Sequence, residues 1–93
     1  MDPNRMQEIE ILVERGYHPG RVSLAAGVPA RLTFLRRETG ACSREVVFPT
    51  LGIRRELPPG VPVEIQLGAL PPGELAFTCG MEMLRGAIDV VAV

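Results

Sequence analysis

At 93 residues, 46% of them hydrophobic, the chain has room for one compact domain and none for a second. A formal net charge of -1 gives no electrostatic pull toward nucleic acid or an anionic membrane surface. All ten basic residues are arginine, a bias that bears on no activity.

The opening Met1-Asp2-Pro3-Asn4-Arg5-Met6 lacks the basic start and apolar run of a signal peptide. No segment approaches the roughly 18 consecutive apolar residues of a membrane span. The chain as given therefore reads as soluble and cytoplasmic, with a membrane-anchored parent protein left open. Residues 1–93 are expected to form one domain behind a flexible N-terminus at 1–6.

Helix signals are weak, because nine prolines and ten glycines interrupt the chain at short intervals. Between them apolar residues recur with period two, the mark of strands with one buried face. Ile9, Ile11 and Val13 make the first run, with Glu8 and Glu10 facing solvent beside them. Val22 and Leu24 make the second, and Leu32 and Phe34 the third. Runs at Glu45 to Phe48, Pro62 to Leu67, Glu74 to Cys79 and Ala87 to Val93 complete about seven strands. Pro58-Pro59-Gly60 and Pro71-Pro72-Gly73 are tight turns, each setting a fixed backbone angle before a permissive glycine. Gly16-Tyr17-His18-Pro19-Gly20 is a similar break. With no helices to carry parallel crossovers, the expected architecture is all-β: an antiparallel, two-sheet Greek-key sandwich.

Sulfur is concentrated late in the chain. Cys79, Met81 and Met83 place three sulfur atoms within five residues, and the other cysteine, Cys42, lies 37 positions upstream. Thiolate and thioether ligands are soft and select Cu(I). In a reducing compartment two cysteines read as ligands before they read as a disulfide. The candidate metal site is therefore Cys42, Cys79, Met81 and Met83. Met1 and Met6 read as a start residue and an exposed or edge side chain.

The arginines Arg36, Arg37, Arg44, Arg54 and Arg55 read as a solvated face. Arg44 has the further possibility of favouring a Cys42 thiolate, and a positive rim would steer an acidic partner. Glu45 and Glu82 are either exposed carboxylates or hydrogen-bonding supports of the ligand loops.

A longer pattern carries a resemblance over nearly the whole chain. It runs Gly16-Tyr17-x-Pro19, Val22, Ala26-Gly27-x-Pro29, Leu32-x-Phe34, Cys42-Ser43-x-Glu45-Val46, Phe48-Pro49 and Leu57-Pro58. It ends Gly73-Glu74-x-x-Phe77-x-Cys79-Gly80-Met81-x-Met83-x-x-Gly86. This resembles the bacterial cupredoxin-like domains of the Cys/Met branch, which bind Cu(I). Membrane-anchored copper chaperones and domains associated with copper ATPases typify that branch. The resemblance implies a cupredoxin fold with Cys42 in the loop where blue-copper proteins place their first histidine. It puts Cys79 at the position of the metal cysteine, and Met81 and Met83 in the ligand loop that follows. It also implies one Cu(I) ion or two. A copper-accepting protein such as a copper-exporting ATPase, or its metal-binding domain, is the implied partner.

A blue-copper electron carrier needs two histidines in its trigonal site, and this chain has only His18, in a turn. An electron carrier and a non-metal interaction module closed by a Cys42–Cys79 disulfide remain the alternative readings. No catalytic constellation is present: a Cys–His nucleophile pair, a serine triad and a phosphate-cradling loop are all missing, so an enzyme is not expected.

Overall fold

The computed structural model describes residues 6–40, 43–80 and 83–92. Among the described residues nine strands form two sheets that pack face to face. They are β1 (Gln7–Val13), β2 (Tyr17–His18), β3 (Arg21–Ala25), β4 (Ala30–Arg36), β5 (Glu45–Phe48), β6 (Ile53–Glu56), β7 (Val63–Leu67), β8 (Gly73–Cys79) and β9 (Arg85–Val91). One sheet has the order β2-β1-β4-β7 and the other β3-β9-β8-β5-β6. A 3-10 turn, Pro49–Leu51, joins β5 to β6. No helix among the described residues is long and apolar enough to cross a membrane. Of the expected N-terminal tail, residues 1–5 lie outside the described residues.

The seven expected runs are all strands, and two more join them. β2 arises inside the Gly16 to Gly20 break, where Val13 and Leu12 pair with Tyr17 and His18. β6 is an edge strand with three exposed residues, so it carries no apolar alternation for a sequence reading to find. Pairing is mixed: β1 with β4 and β3 with β9 run parallel, while the remaining ladders are antiparallel. Parallel neighbours ordinarily need a helical crossover. Here the opposite sheet takes that part, because the chain passes through β3 of one sheet on its way from β1 to β4 of the other.

The core follows from the period of the strands. Ala30, Leu32 and Phe34 on β4 are fully buried, as are Phe77 and Cys79 on β8 and Ile88 on β9. All four aromatic residues of the chain meet there. Phe77 is central, with ring centroids 4.8 Å from Tyr17, 5.7 Å from Phe34 and 5.4 Å from Phe48. The pairs with Tyr17 and Phe34 are edge-to-face, and such pairs add about 0.5–1.5 kcal/mol each beyond area burial. With so few large side chains, this cluster fixes how the two sheets sit on one another.

Candidate metal centre

β8 turns Leu75, Phe77 and Cys79 toward the core, so the cysteine is the last inward residue before the strand ends. Its side chain is fully buried. In the ladder with β5, Cys79 stands opposite Val46. The stretch leading into β5 and the stretch leaving β8 consequently meet at one end of the sandwich.

The loop after Cys79 folds back onto the cysteine itself. The Cys79 amide donates to the Leu84 carbonyl at 3.1 Å, closing the turn. The Met83 and Leu84 amides both donate to Cys79 Sγ, at 3.1 and 3.3 Å. Two N–H dipoles aimed at one sulfur stabilise negative charge on it, which suits a thiolate ligand. Leu84 packs against the core while Met83 is 71% exposed. The Met83 side chain thus stands at the surface while its backbone amide caps the buried sulfur.

Gly80 lies beneath the side chain of Glu45. A Cβ there would lie 2.2 Å from Glu45 Oε1, so the Glu45 side chain lies across the glycine. Arg54, on the neighbouring β6, holds the same Glu45 oxygen in an ion pair. Glu45 therefore lies against the start of the turn after β8 rather than standing free in solvent.

The stretch before β5 is tied down as well. Arg36 Nε donates to Ser43 Oγ at 2.9 Å, and two further guanidinium nitrogens donate to the carbonyls of Leu57 at 2.9 Å and Gly40 at 2.7 Å. Arg36 is only 5% exposed and Ser43 is buried. This corrects the reading of Arg36 as part of a solvated face. The signal that finds it is parity: Ala30, Leu32, Phe34 and Arg36 occupy alternate, inward positions of one strand. Nearby, the Ser43 hydroxyl and then the Arg15 amide, 2.8 Å from Glu38 Oε1, hold the Glu38 carboxyl below the usual carboxylate range, with help from the Arg36 charge.

Of the four candidate ligands, Cys79 and Met83 are among the described residues, the Met83 amide on the Cys79 sulfur and its side chain in solvent; Cys42 and Met81 lie outside the described residues, as does Glu82. Arg44, Arg37, Arg54 and Arg55 are exposed. His18 lies in β2 with its Nε2 donating to the Glu14 carbonyl at 2.8 Å. Among the described residues no three of His, Cys, Asp and Glu come together.

A solved structure of the metal-binding domain of the Cu(I)-exporting P-type ATPase CopA of Streptococcus pneumoniae D39, with Cu(I), superposes with a TM-score of 0.90 at 33% identity, covering 98% of this chain and 90% of that one. A copper-binding protein solved in its apo form by NMR gives 0.88 at 35% identity, covering 98% and 93%. Auracyanin from the photosynthetic bacterium Roseiflexus castenholzii, at 17% identity and a TM-score of 0.70, shares the fold. No curated protein sequence matches the chain. The model of the cupredoxin-like domain covers residues 2–90. With that match and the two-sheet architecture in agreement, the chain belongs to the cupredoxin-like domain family.

Proposed function

We propose that this domain binds Cu(I) through Cys42, Cys79, Met81 and Met83 and serves as a copper chaperone or buffer in copper homeostasis or resistance. The observation that carries the reading is the Cys79 sulfur, buried at the end of β8 under two amide donors, with an exposed Met83 thioether in the same turn. Identity of a third or more to a Cu(I)-bearing domain and to a copper-binding protein supports the choice of metal.

The mechanism follows from ligand chemistry. A d10 ion held by soft donors has no geometric preference that resists change, so an incoming thiolate displaces one ligand at a time. Neutral thioethers shield the ion without adding charge that would trap it. Met83, out in solvent, is the ligand that a partner reaches first, and the buried Cys79 is the ligand released last. The partner in this reading is a copper-accepting protein such as a copper-exporting ATPase or its metal-binding domain, and the domain handles copper without catalysis. The reading places that exchange in the cytoplasm.

Anaerobic titration of the reduced protein with Cu(I) against a chromophoric competitor tests this. The wild type should withdraw copper from the competitor, and the Cys42→Ala, Cys79→Ala double variant should not. A wild type that leaves the competitor loaded, or a double variant that competes equally, removes the proposal.

A further inference from the structure

Arg36 is a charge placed where the fold needs a hydrophobe. It continues the inward row of Ala30, Leu32 and Phe34, and among the described residues it makes no ion pair. Burying a guanidinium is costly even with the Glu38 charge acting on it by way of Ser43, and an apolar side chain of similar volume would serve packing as well or better. Its presence therefore has to be explained by something other than stability.

The geometry supplies the explanation. The guanidinium is a rigid planar fork with donors in fixed directions. Here the three nitrogens reach three different acceptors: Ser43 Oγ, the Gly40 carbonyl and the Leu57 carbonyl. Gly40 and Ser43 stand on either side of Cys42 in the chain. The fork thus ties Gly40 and Ser43 to each other and to the turn after β6. Main-chain bonds complete the frame: the Leu57 amide donates to the Arg44 carbonyl at 2.7 Å, and the Gly60 amide to the Arg36 carbonyl at 2.8 Å. The Ser43 hydroxyl accepts from Arg36 and offers its own proton to the Gly40 carbonyl, 3.3 Å away, or to Glu38.

We propose that Arg36 is a positioning residue for the Cu(I) site: its buried fork ties Gly40 and Ser43, the described residues that flank Cys42 in the chain, to each other and to Leu57. The proposal rests on the Cu(I) reading above. A Cu(I) ion between two thiolates is an anionic centre, so a fixed positive charge in the adjoining loop also offsets it. Lysine offers a single point of donation in place of a fork and would not replace it.

The test uses Arg36→Met, Arg36→Lys, Ser43→Ala and Ser43→Thr, with two readouts. The first is Cu(I) affinity by competition; the second is the alkylation rate of each thiol in the copper-free protein, resolved by mass spectrometry. Loss of a ligand-orienting group weakens metal binding by about 10–100-fold. Arg36→Met, Arg36→Lys and Ser43→Ala should fall in that range and alkylate Cys42 faster while leaving Cys79 unchanged. Ser43→Thr, which keeps the hydroxyl, should restore both readouts. Folded variants with wild-type Cu(I) affinity and wild-type Cys42 alkylation overturn the proposal. If Arg36→Met does not fold, the Ser43 pair decides. If the wild type itself takes up no Cu(I), the functional reading falls, and the alkylation rates alone decide whether Arg36 holds the loop.

Discussion

The ring of Phe77 lies directly over the backbone of Gly86, its partner in the β8–β9 register, so closely that a Cβ at 86 would stand 2.2 Å from the ring. Gly86 is therefore the floor of the four-ring cluster on which the two sheets are seated. Gly86→Ala should force the ring off its partners at the overpacking cost of about 1–3 kcal/mol. In a domain of this size that lowers Tm by roughly 5–15 °C. Thermal unfolding followed by near-ultraviolet circular dichroism checks it; an unchanged midpoint would show that the ring has room to move.

Gly80 has an equally short contact of the opposite character. What a Cβ would meet there is the side chain of Glu45, which can swing outward and leave Arg54 unpaired. An exposed ion pair is worth about 0–1 kcal/mol, so Gly80→Ala should cost no more than that. Its midpoint should also depend less on salt than that of the wild type, measured between low and high ionic strength.

Met83 and Cys79 should separate stability from copper binding. Because the Met83 side chain is 71% exposed, Met83→Leu should leave the unfolding midpoint where it is. It should weaken Cu(I) by about tenfold, equivalent to ~1.4 kcal/mol. Cys79→Ser should abolish high-affinity Cu(I) binding in the same competition assay, since a hydroxyl is a hard donor. Equal copper retention by both variants would contradict the ligand roles.

Acid stability should carry a trace of Glu38. Its carboxyl is held below the usual range by the Ser43 hydroxyl, the Arg15 amide and the Arg36 charge. A depressed folded-state pKa means stability that is fully present above the unfolded value and is lost as pH falls through the folded one. Urea midpoints of the wild type and Glu38→Gln should therefore differ near neutrality and converge in the acid range. A constant gap across the titration would place the effect of Glu38 in something other than its charge.

The legible part of the fold is the part with a buried face on each strand. Leu32 and Phe34, or Leu75 and Phe77, announce their strands because alternation is forced wherever one side meets the core. β6 escaped because an edge strand with only Ile53 half-buried has no alternation to display. β2 escaped because two residues are too few to show a period. The parallel pairings were hidden because partner choice depends on the route the chain takes between sheets, which leaves no local mark.

At the site the balance is similar. The spacing of Cys79, Met81 and Met83, the upstream Cys42 and the lone His18 argue for a soft metal over a blue-copper centre. Composition decides ligand hardness, and hardness decides the metal. Three things depended on the tertiary structure. The Cys79 sulfur is capped by the Met83 and Leu84 amides, which follows from how the turn closes. Glu45 is drawn over Gly80 by a neighbouring strand. Arg36 is buried, with its fork on the two flanks of Cys42. Residue type argued for solvent at position 36 and strand parity argued for the core. Only the assembled sandwich, which offered that guanidinium an acceptor for each of three nitrogens, settled the conflict in favour of the core.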